Sequence, residues 1–551
     1  MKKDILPEPY QIPKMGTSGL RLKQEQYNRA GFLEQFTEGI ARYFKEITST
    51  TKIAENNTHL LLGGDPREGN SERIKTMASI LTAHGFTVIV PENGLASTPA
   101  MSHAIRHLKT IGAIILTASH NPFTDVGIKI NTANGAPALT DCTERINELQ
   151  NDVQDYLTQD YKTALTEGLI KTIDIISMYA DLLDKMFSFK DMREKIEGTP
   201  VSAVFDSMHG AAGPFAREVF VNRLGLDPLM LREEPRTDLG GFDDKGEPKH
   251  PEPDFDYVSD LINQNSTNQF SIAAAWDSDV DRRLDGGSGF FLESADEFAI
   301  FARYSHLINI QSMFNNTIYF CRSTVTSHAI DLMSNELTTI FKDKTIKTVQ
   351  TPTGFKWIAE LGNWGVEESN GVGNPALREK DGIFATVFLL KIILETGKTP
   401  LQLMEDIWKD HGRVYFTRGE VSGSDPIEKE ALINILKEAQ SQIGNRFGTL
   451  TLENAGSWDY KHPETGEIAE KNAAYFLEFS DGNSIKARFS GTGSGGYTLR
   501  VYCSKFDKNY SIPKTRIVQP MKDAFDDFLQ NGGFKGKSEK YTDSNQPDVY
   551  L

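Results

Sequence analysis

Three cysteines in 551 residues are too few and too scattered for a disulfide framework, and Cys142, Cys321 and Cys503 match no zinc or redox spacing. They read as small core residues of a protein kept in a reducing compartment. No apolar run is long enough for a bilayer span: the most apolar stretch, Ala385 to Leu394, is about half the length required. The opening MKKDILPEPYQIPK has two lysines but no apolar segment behind them, so it does not read as a signal peptide. Low-complexity tracts are missing as well. Positive charge is in deficit: 59 Lys and Arg against 76 Asp and Glu leave a net charge of −17. Such a surface repels nucleic acid and anionic lipid, so neither is an expected partner, and the expected setting is the cytoplasm. An anionic small molecule would have to be held by local Arg and Lys clusters working against that field.

What is present is an alternation. Short apolar runs ending in Gly, Asp or Ser loops (His59–Asp65, Ala113–Ser119, Val201–Asp206, Ile272–Asp277, Thr317–Cys321) alternate with amphipathic stretches such as Ser71–His84 and Ser294–Asn309. The pattern predicts an α/β protein whose sheets are mixed or parallel and whose loops gather at strand C-termini, where ligands of such folds collect. The chain is too long for one core, so three or four domains are expected. Breaks fall near Arg193–Pro200, after Asp285-Gly286-Gly287 and around Asp410–Gly419, dividing the chain into 1–192, 193–296, 297–410 and 411–551. Beyond Gly419 a helix at Ile427–Gln442 is followed by short alternating strands, which predicts an α+β unit of another type.

Four constellations can carry chemistry. Asp277-Ser278-Asp279-Val280-Asp281-Arg282 follows the strand IAAAW, and carboxylates at every second position of a turn can converge on one hard cation such as Mg²⁺ or Ca²⁺. An EF-hand is excluded, because the positions that need Gly and Glu hold Arg282 and Ser288; a solvated acidic turn is the plainer alternative. Thr117-Ala118-Ser119-His120-Asn121-Pro122 also ends a strand. It lacks the flanking glycines of a hydrolase elbow, which leaves either an Asn-Pro turn or a serine that attacks phosphorus. Arg488 to Gly496 (RFSGTGSGG) offers backbone N–H groups, hydroxyls and a guanidinium to an anion. Its formal GxGxxG is no dinucleotide site, since the strand-like YTLRVY follows where a helix is needed. Finally Glu367-Glu368-Ser369 can grip sugar hydroxyls, with Arg378 and Lys380 within reach of phosphate.

Together, in order and over nearly the whole chain, these loops resemble the α-D-phosphohexomutase superfamily: a TASHNP phosphoserine loop, a DxDxDR metal loop, an ExS sugar loop and an RxSGTxS phosphate loop. Further segments resemble its glucose-specific phosphoglucomutase branch, namely Gly16–Arg21 (GTSGLR), Asp206–Gly210 (DSMHG), Thr351–Gly354 (TPTG) and Arg378–Gly382 (REKDG). The resemblance implies four domains around a central cleft, three of related mixed-sheet type and a smaller fourth. They would carry, in order, the phosphoserine, the metal, the sugar and the distal phosphate.

It further implies that Ser119 is the phosphorylated nucleophile and that Asp277, Asp279 and Asp281, with Ser119, hold one Mg²⁺. Arg21, His120 and Lys129 would stand at the reacting group. Thr17, Arg282, Arg283, Thr353, Gly354, Glu367, Ser369, Arg378 and Lys380 would line the substrate. Arg488, Ser490, Gly491, Thr492, Ser494 and Arg500 would hold the distal phosphate. The implied reaction interconverts glucose 1-phosphate and glucose 6-phosphate through glucose 1,6-bisphosphate, which also serves as primer, in a monomer or weak homodimer. The alternatives are a mutase for mannose or (N-acetyl)glucosamine phosphates, or a non-catalytic phosphoprotein on the same fold. The chain departs from the family pattern in three places. Ser278 and Val280 stand where the metal loop commonly has Gly, Val366 replaces the Gly before Glu367, and the stretch from Ser119 to Lys129 is shorter than in animal-type enzymes.

Overall fold

The computed structural model describes residues 1–16, 19–50, 58–310, 313–362, 364–490 and 496–542. Four large sheets follow one another along the chain, with a small two-stranded sheet, Lys2–Ile5 against Asp155–Thr158, beside the first. In the first, the strands Leu20–Lys23, Asp125–Thr132, Gly112–Leu116, His59–Gly64, Thr87–Pro91 and Ile170–Ile173 lie side by side in that order. The last four are parallel, and the first two run against them or each other. Gly112–Leu116 (GAIIL) is buried at every position, as a strand covered on both faces must be. Helices Asn70–Ala83 and Thr98–Leu108 supply the parallel crossovers; the second is capped by Ser97, whose hydroxyl accepts from Ala100 N, and has Pro99 in its first turn.

The second and third sheets repeat this plan with five strands each. Ala203–Asp206 is parallel to Ile272–Trp276, which turns back into antiparallel Arg283–Gly287. Thr317–Ser323 is parallel to Gly365–Glu367, which turns back into Gly371–Asn374. In each of the three sheets a buried parallel strand is followed by an antiparallel return, and the turn between them is one of the chemically loaded loops: residues 117–124, 277–282 and 368–370. The fourth sheet is antiparallel, in the order Arg413–Gly423, Tyr497–Asp507, Asn483–Ser490, Ile468–Phe479, Leu450–Lys461, Arg446–Phe447. Helices Pro426–Lys437 and Lys514–Asn531 pack on it. Here too the strands that flank the expected phosphate loop in the chain, Asn483–Ser490 and Tyr497–Asp507, are paired.

One apolar core runs through the first three sheets, from Leu61 and Ile115 past Phe205 and Trp276 to Phe320 and Phe388, whereas the fourth has a core of its own. The run at Ala385–Leu394 explains this continuity. It belongs to the helix Gly382–Thr396, buried at every position from Gly382 to Ile392, so a helix apolar all round fills the space between three units. Asp381 caps it by accepting from Phe384 N at 3.0 Å, and Gly397, at φ 67°, ends it. Among the described residues no helix is long and apolar enough to cross a membrane. The expected elements recur with shifted ends: Ser71–His84 is the helix Asn70–Ala83, Ser294–Asn309 stops at Arg303, and Ile427–Gln442 is Pro426–Lys437 followed by a 3₁₀ turn.

Candidate active site

Ser119 follows the parallel strand Gly112–Leu116 and adopts left-handed backbone, φ 53°, in a loop that bends sharply. Two buried contacts hold that bend. Ser119 N donates to Thr117 Oγ1 at 2.8 Å. The fully buried guanidinium of Arg67 donates to the carbonyls of Ser119, Asn121 (2.7 Å) and Pro122 (2.6 Å), adding to the loop's own backbone bonds from Asn121 N to Ala118 O and from Asp125 N to Pro122 O. Arg67 is itself aimed by Asp65, whose Oδ2 accepts from its Nε at 2.9 Å. The Ser119 hydroxyl donates to Asp277 Oδ2 at 2.8 Å and lies 3.5 Å from His120 Nδ1.

Asp277, Asp279 and Asp281 are all buried, with ligand-capable oxygens within 4.8 Å of one another. Lys129 Nζ donates to Asp279 Oδ2 at 2.5 Å and Asp281 Oδ2 at 3.0 Å. Thr98 Oγ1 reaches Asp279 Oδ2 at 2.6 Å, and Lys380 Nζ is 3.3 Å from Asp281 Oδ2. The electrostatics follow from crowding. Burial, and then the charges of Asp279 and Asp281, push the Asp277 carboxyl well above its ordinary range. Burial also raises Asp281, but Lys129, Lys380 and Arg282 outweigh it and hold that group well below. Lys129 is moved down by burial and further up by Asp279 and Asp281, so its ammonium is stabilised. Asp279 Oδ1 and Asp281 Oδ1 are buried without a hydrogen-bond partner among the described residues. Three buried carboxylates with unused lone pairs fit a hard divalent cation, which would take up these two oxygens.

Guanidinium groups converge on the same place. Arg21 NH1 donates to Asn121 Oδ1 at 3.1 Å. Burial, followed by the charges of Arg282, Arg21 and Arg500, holds His120 well below its ordinary value, so four expected residues from three sheets lie within electrostatic reach of one another. The strand Leu20–Lys23 can bring Arg21 in because Gly19 precedes it: at φ 86°, a Cβ there would stand 2.2 Å from Ile128 O. On the third sheet Glu367 accepts from Gly354 N at 2.8 Å and stands 3.6 Å from Lys380 Nζ, while Thr353 Oγ1 is buried and unbonded among the described residues. Ser369 sits half-buried in the adjoining turn. On the fourth sheet Arg488 and Arg500 are direct cross-strand partners. Like charges placed so are destabilising. Both keep a buried Nε without a hydrogen-bond partner among the described residues, as do Arg21 and Arg282, and an anion between such groups resolves both problems at once.

Two expected residues stand elsewhere. Arg283 opens the return strand and its side chain is turned into the protein; it is 2% exposed, bonded to Glu297 and lies 3.6 Å from Asp285. In this position it braces the strand behind the metal loop, in an environment where burial pushes Asp285 up to about 7. Arg378 is half-buried, at φ 64°, with Arg106 as a charged neighbour. Ser490 is half-buried at the end of its strand, and Thr17, Gly491, Thr492 and Ser494 lie outside the described residues. Sequence reasoning missed Asp65, Arg67 and Thr98. The signal for the first two was the ending GGDPR of a buried strand, the same position at which the other loaded loops begin; Thr98 carried no signal apart from its cap.

The comparisons with known proteins agree with this geometry. Residues 13–156 match phosphoglucomutase/phosphomannomutase alpha/beta/alpha domain I, residues 310–411 match alpha/beta/alpha domain III, and residues 413–547 match the phosphoglucomutase-1 C-terminal domain. Phosphoglucomutase 1 of Drosophila melanogaster is 30% identical across 97% of this chain and 98% of its own. Phosphoglucomutase of Emericella nidulans is 31% identical across 98% of both. Among solved structures, the open form of the Paramecium exocytosis-sensitive phosphoprotein pp63/parafusin, a phosphoglucomutase, superimposes with a TM-score of 0.81 at 30% identity. It covers 98% of this chain and 99% of that one.

Proposed function

The chain belongs to the phosphoglucomutase family, and from that premise we propose that Ser119 carries a phosphoryl group between two hydroxyls of one hexose. The reaction is the interconversion of α-D-glucose 1-phosphate and glucose 6-phosphate. The assignment of Ser119 rests on one observation: its hydroxyl donates to Asp277, which sets a nucleophile from the first sheet against the carboxylate cluster of the second. In this reading the segments 1–192, 193–296, 297–410 and 411–551 each bring one loop to the cleft.

In the reaction the phosphorylated Ser119 gives its group to O6 of bound glucose 1-phosphate. The bond from phosphorus to Oγ breaks, one to O6 forms, and the O6 proton passes by way of His120 to Oγ, which leaves as the free hydroxyl. The resulting glucose 1,6-bisphosphate turns end for end. Its 1-phosphoryl group then moves to Ser119 Oγ, the Oγ proton passes by way of His120 to O1, and glucose 6-phosphate leaves. Lys129, fixed between Asp279 and Asp281, acts as a permanent positive charge beside the transferring group. Arg21 and Arg282 line the same end of the cleft. Glu367 and Ser369, with Thr353, Gly354 and Lys380, hold the sugar. A single Mg²⁺ on Asp277, Asp279, Asp281 and Ser119 would supply charge neutralisation to the phosphoryl group in flight. The three cysteines are buried thiols, which fits the reducing cytoplasm, and the protein is a monomer or weak homodimer in this reading.

The test is turnover of glucose 1-phosphate, coupled to glucose 6-phosphate dehydrogenase, with and without Mg²⁺ and bisphosphate primer. Mannose, glucosamine and N-acetylglucosamine 1-phosphates are run beside it, each with its own product assay. Glucose 1-phosphate is expected to give the highest kcat/KM; an equal or higher value for another sugar overturns the glucose assignment. Arg488 and Arg500 provide a second check. Arg500→Gln is expected to raise KM for glucose 1-phosphate by about 10- to 100-fold, the worth of one charge-assisted bond to phosphate. The unliganded variant should melt no lower than the parent, because a repulsive cross-strand pair has been removed. A lower melting temperature with unchanged KM would show the pair to be structural.

A further inference from the structure

Ser278 interrupts the metal loop where a hydroxyl is of no use to a cation held by its neighbours. Its side chain is fully buried and points away from the carboxylate cluster, donating to Asp65 Oδ2 at 2.9 Å. That same oxygen accepts from Thr117 Oγ1 at 2.7 Å and from Arg67 Nε at 2.9 Å. Thr117 in turn accepts from Ser119 N, and Arg67 holds the Ser119 carbonyl. One buried carboxylate at the end of a third strand thus receives a donor from the middle of the metal loop and two from the machinery that bends the nucleophile loop.

We infer that Ser278 is a positioning residue: through Asp65 it locks the metal loop to the nucleophile loop and so sets where Ser119 stands relative to Asp277 and Asp279. The inference rests on the reading of Ser119 as phosphoryl carrier. Three observations give it force. First, the two loops belong to different sheets; Thr98, at a helix start outside the nucleophile loop, ties Asp279 to the first unit through its N (2.9 Å) and Oγ1, and among the described residues the other direct links are made by the reacting groups themselves, Ser119 to Asp277 and Lys129 to Asp279 and Asp281. Those links must rearrange as phosphate arrives and leaves; the bond through Asp65 need not. Second, the metal loop is pressed from behind: Ala211 N donates to Ser278 O at 2.8 Å, and a Cβ on Gly210 would stand 2.6 Å from Ser278 Cα. Ser278 is therefore clamped on one side and bonded on the other. Third, the loop carries a backbone cost elsewhere. Val280, β-branched and fully buried, adopts φ 67°, a conformation such residues rarely take. A loop held in an unfavourable shape needs restraint, and the Ser278 hydroxyl supplies it.

A bond that positions reacting groups without touching substrate acts on kcat. Ser278→Ala is expected to lower kcat by about tenfold, in keeping with the sensitivity of transfer reactions to small misplacements, while KM for glucose 1-phosphate stays within about twofold. Ser278→Thr, which keeps the hydroxyl, should recover most of the loss. Thr117→Val, which removes the other hydroxyl on the same oxygen, should lower kcat as well, and the double variant should lose less than the product of the two single losses, because the shared carboxylate is already disengaged. Melting curves accompany each variant, so that a protein failing to fold is recognised, and the Thr variant then carries the comparison. A parental kcat in Ser278→Ala, or independent losses in the double variant, would overturn the lock. Failure of the parent reading looks different: the unaltered protein would show neither turnover nor phosphate on Ser119.

Discussion

Ser119→Ala is expected to abolish turnover of glucose 1-phosphate, by about 10⁶-fold, the size of loss that follows removal of a covalent nucleophile. Oγ is the acceptor and donor of the phosphoryl group in both halves of the cycle, and no neighbouring hydroxyl takes its place. Thr117 is turned to Asp65, and Ser278 likewise. The parent protein should carry one phosphoryl group in an intact-mass spectrum, lost on incubation with glucose 6-phosphate as bisphosphate forms; the variant should never carry it. Its fold should survive, since the loop is bent chiefly by Arg67 and by Ser119 N on Thr117, neither of which uses the deleted oxygen. Serine and alanine carry the same Cβ at φ 53°, so only the lost bond to Asp277 weighs on stability, and a fall of no more than a few degrees in melting temperature is expected. A variant retaining a tenth of the parental kcat would sink the phosphoserine scheme.

Asp279→Asn is expected to lower kcat by roughly 10²- to 10³-fold and to move Mg²⁺ activation to higher concentration. The carboxylate does two jobs: its Oδ2 receives Lys129 and Thr98, and its Oδ1 is one of the buried oxygens left without a partner among the described residues. An amide keeps one acceptor but removes the charge that fixes Lys129. Chelation separates these contributions. A chelator should lower the melting temperature of the parent protein, because an ion bound by the folded state alone stabilises it, and should change that of Asp279→Asn much less. Equal responses in the two proteins would place the metal elsewhere.

The candidate site was largely legible in the sequence because each of its parts is a contiguous loop. A cation site made from every second residue of DSDVDR, or a nucleophile in TASHNP, keeps its signature within a few positions, whatever the rest of the chain does. The α/β plan was legible for a similar reason: a strand buried on both faces must be apolar throughout, and GAIIL and IAAAW are. Neighbouring residues were harder. Arg282 and Arg283 look interchangeable in the text of the sequence, yet one ends the metal loop within electrostatic reach of His120 and the other opens the return strand and is bonded to Glu297. Asp65 and Arg67 showed only as the GGDPR ending of a buried strand, and Thr98 only as part of a helix start. Each acts on a loop more than fifty residues away in the chain or on another sheet, and nothing in the local composition of their segments records the partner.

Sequence alone therefore determined which residue types make up the candidate site, since phosphoryl transfer requires particular groups at particular short spacings. It also determined the layered fold, because burial dictates the period of apolar residues. The tertiary structure decided how those groups are aimed. It joined three sheets through one core and the helix Gly382–Thr396, placed Ser119 against Asp277, and set Arg488 opposite Arg500. Orientation comes from contacts between segments remote in the chain, and the energy of such contacts depends on distance and burial, which a linear sequence does not contain.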